Sequence, residues 1–458
     1  MTRFLLLLLP LACALQGQDS LNVFKLFHWD DPSLPGSAQY DNTYNEVYGY
    51  AAGGREYAII GSTMGTHFFD VTDPVNSTLV DFVPGANQGP VVIHRDFKTY
   101  AGYLYAVCDE GQSTLQIIDL HYLPDSVHLA YNSNDLFVRA HNIQLDTANA
   151  RLYTCGGSSP FSIWSLADPV DPTLLLDCAD DITWWDAAVG YVHDCFVRDN
   201  IAWCNDEDGL HVVDFTNLAS PQLLASLTTY PEPGYNHSGW MNDAGTVYAM
   251  ADETHGTRIK LIDATDLADL QVLGFAGSGV HPLSIVHNPF FRGSILHAAY
   301  YYDGYWLWNT QDPGNPVLLG YYDTSTIPNG PSYKGAWGVY PWLPSGIVLV
   351  SDMQTGLWVL DISPAVGSSD PGQVTDPFRV WPTVTSGPIQ VAALDGSVAE
   401  IAIEVLNAAG MVLFSVPSQR SDGSLRIDLS TYTDGLYLVR AIADKRSYTQ
   451  RVIKTGAR

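Results

Sequence analysis

The sequence predicts an all-β protein, a seven-bladed β-propeller closed by an N-terminal strand and followed by a small Ig-like β-sandwich. Three observations carry that expectation. A short apolar strand ending in an acidic or polar turn recurs seven times; helical periodicity is nowhere sustained; and the character of the chain changes after Asp370.

The first element is a leader. Arg3, an apolar run from Phe4 to Leu9 and the small residues of "LACAL" form a secretory pattern too short to span a bilayer. Residues 1–17 read as the signal peptide, with cleavage near Ala14; Cys13 as a lipidated cysteine is the alternative. No later apolar run is long enough for a membrane helix, so the mature chain is expected to carry no transmembrane segment.

Residues 18–369 read as the propeller. The recurring strand appears as "THFFDVTDP", "LQIIDLHYLP", "FSIWSLADP", "LHVVDFTNLASP", "IKLIDATDL", "YWLWNTQDP" and "LWVLDISP". Its turn residue falls at Asp70, Asp119, Ser165, Asp214, Asp263, Asn309 and Asp361, in steps of 49, 46, 49, 49, 46 and 52. Each copy is followed by another apolar strand and preceded by two more, so each unit holds four, the period of a propeller blade. The repeated polar residue is expected to bond its own backbone in the turn. The seventh copy lacks a fourth strand, and "LNVFKLFHW" (Leu21 to Trp29) is an orphan strand that would supply it and close the ring.

Residues 370–378, within "SSDPGQVTDP", read as a linker, and 379–458 as the strands of a C-terminal sandwich: "FRVWPTVTSGPIQV", "AEIAIEVLNAAGMVLFSV", "LRIDLSTYTDGLYLVRAIA" and "SYTQRVIK".

Forty-nine acidic against 21 basic residues give a net charge of -28, which repels phosphate backbones and excludes nucleic acid as a partner. Five cysteines follow Cys13. A two-residue turn at Asp199-Asn200 would set Cys195 opposite Cys204 on adjacent strands, where they are placed to bridge in an oxidising compartment.

The propeller region resembles the choice-of-anchor B family of LVIVD-repeat proteins across residues 21 to 362. The matching blocks include "HWDDPSLP", "YNEVYGY", "HRDFK", "AHNIQLD", "YVHDC", "NHSGW", "ADETHG", "VHNP" and "GAWGVYPWLPSG". No activity comes with that resemblance. The tail is similar to the C-terminal sorting domain of the type IX secretion system, through "WPTVTSGPIQV", "LNAAG", "DLSTYTDGLYLVR" and the basic ending "RVIKTGAR", although "WPT" replaces the commoner proline-asparagine-proline opening. The resemblance implies passage through the periplasm to the medium or the outer surface, with the secretion and sorting machinery as partner.

The candidate site follows from the repeat. First strands carry a histidine in five of seven copies: His94, His141, His193, His237 and His287; the other two slots hold Asn45 with Glu46, and Trp337. A blade's first strand lines the central channel, so these side chains would converge at one mouth. Neutral imidazoles delivered to one axis suit Zn, Cu or Fe, with Glu46 or Asp194 as a further ligand or as a group orienting a histidine. Metal-binding propellers of unrelated ancestry are an analogy only. The competing reading is that one ancestral blade passed on a histidine for a structural bond. Asp109, Asp206, Asp252 and Glu253 at second-strand ends, with Trp184, Trp185, Tyr235, Trp240 and Trp337, would form a polar, aromatic-edged funnel. Those acids also admit calcium, though they are ordinary turn formers.

Three functions stay open at this point. One is a secreted or surface-displayed binding module taking a small molecule or glycan at the funnel. Another is a metal-dependent hydrolase or oxidoreductase using the same histidines, and the last is a structural or adhesive protein.

Overall fold

The computed structural model describes residues 19–366, 378–393, 399–407, 411–421, 425–443 and 446–456; the expected leader, with Cys13 and Ala14, and most of the expected linker lie outside the described residues. Seven antiparallel sheets follow one another along the chain. In blade 3, for example, Asn142–Asp146, Arg151–Cys155, Phe161–Ser165 and Thr173–Asp177 pair in sequence order from the channel outward. The first strand of each blade packs against that of the next, and the seventh (Ala336–Tyr340) packs against the first (Tyr44–Ala52), so the circle is closed.

The repeated turn residue does what its side chain suits it for. The Oδ1 of Asp70, Asp119, Asp214, Asp263, Asn309 and Asp361 accepts from the backbone N–H two residues on, at 2.7 to 2.9 Å, and the Oγ of Ser165 does so at 3.2 Å. Between blades lie apolar layers. That of blades 3 and 4 holds Tyr153, Phe161, Val197, Val213 and Phe215, all buried.

Closure differs from expectation in one detail. Phe24–Trp29 forms the fourth strand of blade 7, pairing with Gly356–Asp361. Ser20–Leu21 instead pairs with Val317–Tyr322 as a fifth strand of blade 6. Asn22, at φ +55°, makes the corner between the two, a backbone conformation that asparagine tolerates better than most residues.

The tail is a sandwich of a three-stranded and a five-stranded sheet over Val380, Ile389, Val391, Ile403, Val405, Tyr437, Val439 and Val452.

The expected Cys195–Cys204 bridge is not made. The two are register partners, as the Asp199-Asn200 turn implies, but all five described cysteines are free thiols. The Sγ of Cys195 lies 3.4 Å from that of Cys155 in the neighbouring blade.

Candidate functional site

Each slot residue stands where its first strand departs from regular pairing. Asn45, His237 and Trp337 fall in β-bulges. His94, His141, His193 and His287 sit one or two residues before their strands begin. A bulge or strand end frees a side chain from strict alternation and can aim it at the channel. As a result the rings form a circle: His94–His141, His141–His193 and His193–His237 have centroids 4.2 Å apart, His237–His287 4.7 Å, His287–Trp337 4.3 Å, and Trp337–His94 5.5 Å past Asn45.

These contacts decide against one ion shared by all five histidines. Six rings on a regular hexagon lie as far from the axis as from each other, here 4.2 to 5.5 Å. A ligating imidazole places its centroid only about 3 Å from a metal held at about 2.0–2.1 Å. His94 and His141 also stack face to face at 11°, turning their π surfaces to one another.

Electrostatics divides the circle into two sectors. Nδ1–H of His141 donates to Asp109 Oδ2 at 2.9 Å; burial would lower its pKa, but the Asp109 carboxylate, together with Asp194 and Glu253, outweighs burial and raises it. Burial holds His94, His193 and His237 well below the ordinary value, and His287 down to about 3. The tautomers of two are fixed by geometry: Nδ1–H of His193 donates to the His237 carbonyl at 3.1 Å, and Nδ1–H of His287 to the Trp337 carbonyl at 2.6 Å. A carbonyl only accepts, so Nε2 of each keeps its lone pair.

Glu253 completes the neutral sector. Its Oε2 is 3.9 Å from His237 Nε2, and its Oε1 is 4.0 Å from His287 Nε2. Among the described residues these three are the only group of potential ligands whose donor atoms all lie within 4.8 Å of one another. Burial pushes the Glu253 carboxyl up to about 7, and Tyr301 donates a short hydrogen bond to its Oε1. Two ligands on one tetrahedral ion at about 2.0–2.1 Å sit about 3.4 Å apart, so these donor atoms, which lie within 4.8 Å of one another, would close by up to about 1.4 Å around an ion.

Other expected site residues lie elsewhere. Glu46, which shares its slot and bulge with Asn45, and Asp194, one residue beyond its slot, lie in a second tier with Asp96, Lys98, Asn142 and Asn288, around a cavity of about 30 Å³. The Lys98 ammonium spans both Asp96 oxygens at 2.8 and 2.9 Å. Burial raises Glu46 to about 8 and Asp194 to about 7. Trp240 lines the same cavity and packs with Phe196, Phe290 and Trp342 at 5.0 to 5.2 Å. Trp185 is fully buried against Phe161 between blades 3 and 4, with Trp184 beside it, because the short helix Trp185–Ala188 tucks them into that layer. Neither lines the mouth.

Of the second-strand acids, Asp252 pairs with Lys260 at 2.8 Å, both fully buried, and Asp206 with His211 at 2.9 Å. In blades 4 and 5 the next residue along reaches the mouth instead, Glu207 bonded by Tyr235 OH at 2.7 Å and Glu253, whereas in blade 2 both Asp109 and Glu110 do, Glu110 accepting from His94 N–H at 3.1 Å. Tyr235 stands 5.4 Å from His193. Tyr301 occupies the same position of blade 6, bridging to Ala336 as Glu207 bridges to Asn236; its distance from the repeated turn residue varies from blade to blade, so the repeat did not mark it.

Residues 379–455 match the family of secretion system C-terminal sorting domains. That match marks the chain for export, to the cell surface or the medium. Among solved structures, the β-propeller domain of Cps50 (Swd1) from Myceliophteria thermophila is similar, with 11% identity, a TM-score of 0.49, and coverage of 72% of this chain and 98% of that one. No curated protein matches the chain. The propeller assignment stands on the strand pairing itself, and no described helix is long and apolar enough to cross a membrane.

Proposed function

We propose that this exported propeller is a metal-dependent binding module that holds one divalent transition-metal ion through His237 Nε2, His287 Nε2 and Glu253, leaving coordination positions open to a ligand at the channel mouth. Two histidines and a carboxylate with open positions are a donor set used for iron(II), and zinc accepts the same atoms. The observation that carries the reading is the convergence of two neutral imidazoles and one carboxylate, with Nδ1 of His287 anchored on a backbone carbonyl so that Nε2 faces the site. The resemblance of residues 21 to 362 to the choice-of-anchor B family fits an exported module and brings no activity of its own.

The test is metal content. Protein stripped with chelator and titrated with zinc, iron(II) or cobalt(II) should take up one equivalent, with a cobalt spectrum of imidazole and oxygen ligation. His287→Ala and Glu253→Gln should each weaken uptake by about 100-fold while the fold persists by circular dichroism. A folded wild-type protein that takes up no metal at micromolar concentration would remove the reading, as would uptake unchanged in both variants.

A further inference from the structure

Four of the five described cysteines, Cys155, Cys178, Cys195 and Cys204, share the apolar layer between blades 3 and 4. Cys155 ends the second strand of blade 3, and Cys195 is the second residue of the first strand of blade 4. They are 40 positions apart in the chain, 0% and 1% exposed, and their sulfurs are 3.4 Å apart. A disulfide spans about 2.0 Å, so the sulfurs need to close by about 1.4 Å, a distance within reach of rotation about the two Cα–Cβ bonds. The sorting domain at residues 379–455 carries this chain into compartments where such bonds form and persist.

We infer that Cys155 and Cys195 become a disulfide in the exported protein, stapling blade 3 to blade 4. The oxidant is a disulfide-bearing thiol oxidoreductase of the cell envelope. One cysteine, as thiolate, attacks the donor's disulfide and forms a mixed disulfide, expelling a donor thiolate. The second cysteine, losing its proton, then displaces the other donor sulfur. One S–S bond forms in the propeller and one breaks in the donor, which leaves as a dithiol with two electrons and two protons gained. Because both sulfurs are sealed in the finished layer, the exchange precedes its closure.

The staple would act next to the imidazole circle. The Cys155 carbonyl accepts the His141 N–H at 2.9 Å, and Cys195 lies two residues beyond His193. Two adjacent members of the circle would thus be tied through one covalent link. This inference is independent of the metal reading.

The experiment uses full-length protein recovered after export, denatured without reductant, alkylated with N-ethylmaleimide, and examined by intact mass and peptide mapping. Expected are adducts at Cys108, Cys178 and Cys204, two fewer than after reduction, and one cross-linked peptide joining Cys155 to Cys195. In a Cys155→Ser variant, Cys195 should become alkylated and the cross-linked peptide vanish. Alkylation of all five in the unreduced wild type overturns the inference. So does a bridge from Cys195 to Cys204 or to Cys178.

Discussion

Glu46→Gln should stabilise the protein at neutral pH, although it removes an ionisable residue from a site rich in polar partners. Glu46 is 7% exposed in the second channel tier, where burial, and after it the Asp96 carboxylate, pushes its carboxyl from 4.5 up to about 8. The folded state therefore binds this proton more tightly than the unfolded state does. Stability is fully present below the unfolded value and is lost as pH rises from about 4.5 to about 8, by up to about 1.4 kcal/mol per pH unit. Between pH 5 and pH 7 that amounts to about 2.5 kcal/mol. Asp96, Lys98 and Asp194 exchange charge with Glu46, so the slope belongs to the tier, and the substitution removes one carboxyl's share. Glutamine has no such proton, yet its amide oxygen can still accept the Val47 N–H that Glu46 Oε1 accepts at 2.9 Å. The variant should exceed wild type by about 2–4 kcal/mol at pH 7.5, and by less than about 1 kcal/mol at pH 5. Urea unfolding followed by tryptophan fluorescence at the two pH values reads both differences. A variant less stable than wild type at pH 7.5, or a difference independent of pH, would refute the account.

Lys260→Met leaves Asp252 fully buried with only Tyr230, Gly234 N–H and Asn236 as partners, and should cost about 3–5 kcal/mol in thermal or denaturant unfolding; a loss under about 1 kcal/mol would mean that the ion pair is not sealed. Removing residues 19–29 strips blade 7 of its outer strand and exposes the edge Gly356–Asp361, so size-exclusion chromatography should show aggregation; a monodisperse product with unchanged melting would contradict closure by this strand. Truncation after residue 366 removes the sorting domain. Cell fractionation should then find folded propeller in the periplasm, and continued delivery to the surface or medium would show that another segment carries the address.

The architecture was legible because the turn residue imposes its own chemistry at every copy, and that signal is local. The convergence of His94 to His287 was legible for the same reason, since residues at one offset in a circular repeat must meet. What the sequence hid depends on single-residue displacement. Glu46 shares the bulge of Asn45 and Asp194 directly follows His193, yet both side chains drop into the next tier. Asp252 and Glu253 are likewise consecutive, yet pairing with Lys260 draws one into the blade and leaves the other beside His237 and His287. Trp184 and Trp185 lie in a connection, where no periodicity marks which side faces inward. The partner of Cys195 comes from another blade, which strand register within a hairpin does not reveal.

The strand that completes blade 7 comes from the opposite end of the propeller: His28 meets the carbonyl of Thr355, 327 positions later. This early strand must therefore idle, with an unmatched row of backbone donors and acceptors, until almost all of the propeller has arrived. At equilibrium so long a separation adds little, because the entropy of bringing two ends together grows only logarithmically with the distance between them. Kinetically it makes the final step a meeting of distant segments, which is slow.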